Sequence, residues 1–234
     1  MSSALKRHDA DDLVDRPGDP RHGEALRIAE ALLFAAPSPM SLAGLAAHLP
    51  ASTDVEAVLA DLVRLYAGRG VNLVRVAGGW AFRTAADLAY VLVGGAPEPQ
   101  KLSRAAMETL AIVAYHQPTT RAEIEEIRGV SVSKGTLDTL LETGWVRLRG
   151  RRRSPGRPVT YGTTPAFLAH FGLDAIGDLP GLDELKGLGF LEGRLPPGLD
   201  VPMPSDDTLL REDEDPLDEA DLSLGPSLQG PDND

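Results

Sequence analysis

Cysteine is absent from the 234 residues. That excludes disulfides, zinc ribbons and thiol catalysis, and suits a reducing compartment. Histidine is sparse: His8, His22, His48, His116 and His170 stand apart, without the spacing of a metal site. No run of about eighteen apolar residues exists, so nothing reads as a membrane-spanning helix. The N-terminal stretch MSSALKRHDADDLVDRPGDPRHG lacks an apolar core, so a secretory signal is not expected. What is present is a hydrophobic content of 42%, enough for packed cores, in a length that suits one large domain or two small ones.

Catalytic signatures are missing too. GVSVSKGT comes near a phosphate-binding loop, but Lys134 and Gly135 stand in the wrong order and follow a helical pattern rather than a strand. GVSVS is no nucleophile elbow, because Ser133 occupies the place of the second glycine. Glu123, Glu125 and Glu126 read as the solvated face of a short helix rather than an acid–base pair. His116, at a helix end, is explained by contact with the terminal carbonyls. No enzyme, cofactor or metal is expected.

The formal charge is −12, and it is unevenly placed. Residues 196–234 hold twelve Asp/Glu and one Arg, so the rest of the chain is close to neutral. This tail is rich in Pro, Gly and Asp and is expected to be disordered.

The order of elements recurs. Residues 24–36 carry Leu26, Ala29, Leu32 and Leu33 at helical spacing, and Pro37 and Pro39 stop the helix. A short helix follows Ser41, and a third opens with Thr53 and Glu56 at capping-box spacing. Two alternating runs, VNLVRVA and WAFRT, are joined at Gly78-Gly79, a hairpin signal. After the linker-like GGAPEPQ the order repeats. One helix presents Met107, Leu110, Ala111 and Ala114; a second is boxed by Thr120 and Glu123; a third buries Leu137, Leu140 and Leu141. WVRLRG and PVTYGTT then flank a turn, with Tyr161 expected to pack in the core and Thr164 to cap the next helix ahead of Pro165. The pattern predicts a mainly α fold with small β wings (α+β): two tandem winged helix-turn-helix domains. The predicted boundaries are a disordered extension 1–21, a first winged-helix domain 22–93 and a linker 94–102. A second domain 103–173, a short helical segment 174–192 and a disordered acidic tail 193–234 follow.

In helix-turn-helix proteins the second helix of the pair presents its N-terminal residues to base edges. Here those helices begin with Asp54, Glu56 and Asp61, or with Lys134 against Asp138 and Glu142. Carboxylates there repel phosphates, and neither helix starts with an Arg or Gln for bidentate base reading. A DNA-binding transcriptional regulator is therefore the alternative rather than the first reading. Only the second wing is cationic, with Arg151, Arg152, Arg153 and Arg157. These are candidates for contact with a partner or a phosphate. The competing reading is an exposed turn whose arginines are solvated, or paired with the acidic tail of the same molecule. On either, replacing Arg151–Arg153 by alanine is expected to leave folding nearly intact.

Four blocks, RIAEALLFAAPSPMSLAGLA, LSRAAMETLAIVAYHQPTTRAEIEEIRGV, LLETGWVRLRGRRRSPGRPVTYGTTPAFLAHFGL and DLPGLDEL, together resemble the segregation and condensation protein B family. The resemblance covers about residues 22 to 185. It departs from the family pattern at GVSVSKGTL, where the turn is one residue longer and Ser131 replaces Asn. The resemblance implies a non-catalytic subunit acting in chromosome condensation and partition during cell division. It implies two winged-helix domains, homodimerisation through the first, and binding of a kleisin (segregation and condensation protein A). Through the kleisin it implies a link to the SMC ATPase, hence a cytoplasmic, nucleoid-associated protein. DNA contact is expected to be at most weak and non-specific, and no membrane is implied.

Overall fold

Eight helices and two small antiparallel sheets make up a mixed α+β structure among the described residues of the computed structural model, which are 20–92, 102–181, 184, 204 and 209–218. The chain divides into two compact units, Met1–Ala96 and Pro97–Asp234. Most of the expected extension 1–21 and linker 94–102, and much of 174–192 and 193–234, lie outside the described residues.

The first unit runs α1 (Pro20–Ala35), α2 (Leu42–Ala46), α3 (Val55–Tyr66), β1 (Val71–Val76), β2 (Gly79–Thr84), a 3-10 turn (Ala86–Leu88) and α4 (Ala89–Leu92). Helix α1 buries Ala25, Ala29 and Leu33, four residues apart, against Val58, Leu59 and Leu62 of α3. Leu45, Leu49 and Leu73 close the core. The cap of α3 is Asp54, whose Oδ1 accepts from the Ala57 N–H at 3.0 Å, rather than the expected Thr53. A carboxylate one residue later meets both the free amides and the positive end of the helix. The hairpin loop is also displaced by one from expectation. Val76 pairs with Gly79, so the two-residue loop is Ala77-Gly78, with φ of 53° and 71°. Both loop positions are left-handed, as a tight primed turn requires. Gly79 opens β2 through its pairing with Val76, and next to it a bridge joins Met40 to Trp80. A Cβ at Gly79 would lie 2.9 Å from the Met40 carbonyl oxygen.

The second unit runs α5 (Arg104–His116), β3 (Thr119–Thr120), α6 (Arg121–Arg128), α7 (Lys134–Glu142), β4 (Val146–Arg152), β5 (Val159–Thr163) and α8 (Pro165–Phe171). A 3-10 turn (Ile176–Asp178) and β6 (Glu214–Asp215) complete it. Its sheet has the order β3-β5-β4-β6. The buried face of α5 is Ala106, Thr109, Leu110, Val113 and Ala114; of the expected face Leu110 and Ala114 are buried, whereas Met107, 46% exposed, and Ala111 are not. Thr109 joins the core because its hydroxyl donates to the Ala105 carbonyl within the helix, leaving its methyl outward. Helix α6 has the expected capping box of Thr120 and Glu123. The turn before α7 is filled by Val132, which is fully buried. Arg121 donates to the Val132 carbonyl, and Glu125 accepts from its N–H. Tyr161 packs against this core. Thr164 caps α8 by accepting from the Phe167 N–H, and donates to the Gly144 carbonyl at 2.6 Å.

Residues 209–218 depart from the expected structureless tail. They run along the outer edge of β4, where β6 pairs antiparallel through Arg151 with Asp215 and Arg152 with Glu214.

Candidate interaction site

The chemistry of the second unit concentrates where β4 meets this returning segment. Between Leu148 and Gly150 the pairing of β4 with β5 shifts register, leaving Arg149 as the extra residue of a bulge. Bulges re-aim side chains, and here the Arg149 side chain turns inward, only 3% exposed. Its Nε donates to Glu214 Oε2 at 3.1 Å, and its Nη2 donates to the Leu209 carbonyl. Glu214 is itself 2% exposed. Its other oxygen accepts from Thr160 at 2.7 Å, and Oε2 also accepts from the Arg211 N–H. A buried carboxylate needs several such partners to offset its lost hydration. This one has a guanidinium, a hydroxyl and an amide.

Gly150 makes the close approach possible. A Cβ there would lie 2.7 Å from the Asp215 carbonyl oxygen and 2.8 Å from a methyl of Leu210. No side chain fits between β4 and the segment that covers it.

The four arginines singled out from sequence divide by role. Arg151 and Arg152 lie within β4 rather than in an exposed tip, because β5 on one side and β6 on the other extend the pairing to them. Arg151 donates to the Arg157 carbonyl at 2.7 Å. Arg152 is largely covered, with a side chain 15% exposed. It donates to Asp213 at 2.7 Å, to the Pro118 carbonyl at 2.8 Å, and to both oxygens of Glu123 at 3.0 and 3.1 Å. Arg153 and Arg157 converge on Asp215, at 2.7 and 3.1 Å. The expectation that Arg151–Arg153 can all be removed without cost to folding therefore changes for Arg152.

The charges set the ionisation of the carboxylates. Burial alone would raise the Glu123 carboxyl, but the Thr120 N–H bond and the Arg152 charge outweigh it and hold it below the ordinary range. Arg153, and then Arg157, lower Asp215. Burial of Arg152 works against its charge, yet Glu123 and Asp213 more than compensate and raise its pKa. Thr120 thus serves two elements: it caps α6 and holds the carboxylate that anchors β4.

Of the residues read from sequence, the structure joins Thr120 and Glu123 to Arg152, and Arg153 and Arg157 to the tail. Thr164 sits apart, at the start of α8. Sequence reasoning missed Arg149, Gly150, Thr160 and Glu214. A glycine inside a strand is a signal for close backbone approach, and Gly150 was legible on that ground. Glu214 was hidden among the many acids of the tail.

A family model described as segregation and condensation complex subunit ScpB matches residues 27–182, which reach into both units. The segregation and condensation protein B of Moorella thermoacetica is 48% identical over 160 residues, covering 67% of this chain and 82% of the relative. That of Syntrophotalea carbinolica is 47% identical over 171 residues, covering 70% and 85%. A crystal structure of ScpB from Mycobacterium tuberculosis is 38% identical, covering 65% of this chain and 97% of the other, with a TM-score of 0.30.

Proposed function

The chain belongs to the ScpB family of segregation and condensation complex subunits, and from that membership we propose that it works as a non-catalytic, kleisin-binding subunit of that complex. In this reading it engages the kleisin directly and the SMC ATPase through it, and so acts in chromosome condensation and partition. The observation that carries the reading is the family match from residue 27 to 182, at 48% identity to one relative. Each unit is then a winged helix-turn-helix. The order of three helices followed by an antiparallel hairpin, present in both units, supports this. The work would be done in the cytoplasm, at the nucleoid.

The first unit is the proposed dimerisation domain. It carries a groove of about 670 Å³ lined by Phe34, Tyr66, Val71 and Phe82 among others. Phe34 is 84% exposed and Val71 42%. Apolar surface of this kind on a folded unit marks an interaction face. The acidic opening of α3, with Asp54 and Glu56, and the lack of an Arg or Gln at the start of α7 argue against sequence-specific DNA reading.

The test mixes the purified chain with the middle segment of its kleisin and measures mass by light scattering. A complex containing two copies of this chain is expected at micromolar concentration. Absence of any complex overturns kleisin binding, and a monomer in the free state overturns dimerisation.

A further inference from the structure

We propose that the outer edge of β4 is a receptor for acidic strands of protein, and that residues 209–215 are its built-in occupant, which an external strand must displace. The proposal rests on the hairpin geometry and not on kleisin binding.

Three features make this edge a built site rather than a chance contact. The first is the slot. Strand addition to a sheet edge needs backbone access, and Gly150 supplies it, since a Cβ would collide with the Asp215 carbonyl and with Leu210. The Arg153 N–H donates to the Asp213 carbonyl at 2.8 Å, extending the pairing of Arg151 and Arg152 with Asp215 and Glu214. The second is the pocket. The bulge at Arg149 and the Thr160 hydroxyl define a buried place for one carboxylate, which Glu214 fills. The third is the rim. Arg152 takes Asp213 on one side of the buried glutamate, and Arg153 and Arg157 take Asp215 on the other.

The occupant therefore states what the site reads: an extended segment with a glutamate in the pocket and an acidic residue on each side. Nucleic acid fits this less well. Phosphates can neutralise the rim, but they offer neither a pairing backbone for β4 nor a single carboxylate for a closed pocket.

Displacement is built in as well. β6 is two residues long, and the rim pairs that Arg153 and Arg157 make with Asp215 are exposed, so they are weakened by salt. A short edge segment held mainly by one buried side chain, Glu214, can open locally without unfolding the rest. A tethered occupant also competes at the effective concentration set by its tether, so an external strand gains access most readily when the occupant's own acids are removed.

The experiment uses the full chain and a fluorescent peptide of residues 204–218, read by anisotropy at physiological salt. The wild-type chain is expected to bind the peptide weakly. A full-length variant with Asp213→Ala, Glu214→Ala and Asp215→Ala in its own tail is expected to bind it at least tenfold more tightly. A peptide carrying Glu214→Gln is expected to lose tenfold or more on that variant, and this arm leaves the protein untouched. Adding Gly150→Val is expected to abolish binding. Equal binding by wild type and tail variant overturns the proposal. So does equal binding of a scrambled peptide of the same composition, which would leave only charge. A tail variant that binds a duplex oligonucleotide but not the peptide overturns it in favour of a phosphate site.

Discussion

Arg149 and Glu214 form a buried ion pair across 65 positions of the chain, with Nε and Oε2 3.1 Å apart. Removing one member of such a pair ordinarily costs about 3–5 kcal/mol, because the other is left charged and dehydrated. Here a limit applies. Arg149 can regain water if residues 209–215 lift from β4. Glu214→Ala is therefore expected to cost no more than the docking free energy of that segment, less than about 3 kcal/mol, with the loss confined locally. Native-state hydrogen exchange checks this. The Arg153 amide, bonded to the Asp213 carbonyl, is expected to exchange much faster, while the amides of α5 keep their protection. Faster exchange throughout the second unit would mean that the segment is part of the cooperative core.

The arginines of the β4–β5 hairpin give a graded series. Arg153 and Arg157 side chains are 57% and 59% exposed, and their pairs with Asp215 lie in water. Exposed pairs contribute about 0–1 kcal/mol, so Arg153→Ala and Arg157→Ala are expected to change the stability of the second unit by less than that. Arg152→Ala removes bonds to Glu123, Asp213 and the Pro118 carbonyl at once. It also leaves Glu123 without the cation that faces it. The expected loss is about 1.5–3 kcal/mol, the range for hydrogen bonds to charged groups. Chemical denaturation of the three variants checks the order; an equal effect of all three would contradict the division of roles.

Much of this arrangement was open to reading from the sequence, and the misses have physical causes. Helix periodicity located α1, α3, α5 and α7, because apolar residues three and four apart define a face. The face of α5 was half right: Leu110 and Ala114 are buried, but Met107 and Ala111 were counted and Thr109 was omitted. A threonine that bonds its own helix is apolar to its neighbours, which periodicity in residue names does not register. Capping signals were correct where the box is complete, at Thr120 and Glu123, and displaced where Thr53 and Asp54 compete. The site itself was half legible. The arginines stood out as a cluster, but whether they face solvent depends on a segment about sixty residues away. Composition marked that segment as disordered. Composition averages over the tail, whereas Glu214 acts through one position, one bulge and one missing Cβ.

The close approach of Gly79 to Met40 makes a sharper steric test. A Cβ at residue 79 would meet the Met40 carbonyl oxygen at 2.9 Å and two further backbone carbons at 3.1 Å. Backbone cannot turn aside as a flexible side chain can. The bridge in which Met40 and Trp80 exchange hydrogen bonds at 2.9 and 2.8 Å must therefore open. Gly79→Ala is expected to destabilise the first unit by about 1–3 kcal/mol, the usual cost of overpacking. Gly78→Ala acts differently, since a Cβ there meets nothing within 4 Å but its φ is 71°. Thermal unfolding of both variants checks the first unit. A neutral Gly79→Ala would show that the Met40 bridge does not hold the hairpin.

The second unit also carries a dependence on pH whose sign can be worked out from His116 and Glu123. Burial holds His116 below its ordinary value. The unfolded chain therefore takes up a proton near pH 6.5, while the folded chain does so only at lower pH. Between those values the unfolded state binds more protons, so stability falls as pH falls from about 6.5 and levels off once the folded histidine is protonated. Glu123 acts at lower pH and in the same direction. Its folded value lies below the ordinary one of about 4.3, so its contribution is present above that pH and lost as pH falls through the folded value. Denaturation of the second unit, followed by hydrogen exchange in α5, is expected to show two descending steps on acidification. His116→Gln is expected to remove the step that begins near pH 6.5 and to leave the step below about pH 4.3. Glu123→Gln should retain the His116 step and reduce the lower one without removing it, because Asp215, Glu108 and Glu125 are also held below the ordinary carboxylate range by arginines and an amide. If His116→Gln leaves the upper slope unchanged, the proton taken up there belongs to another group, and burial of His116 does not govern the stability of this unit.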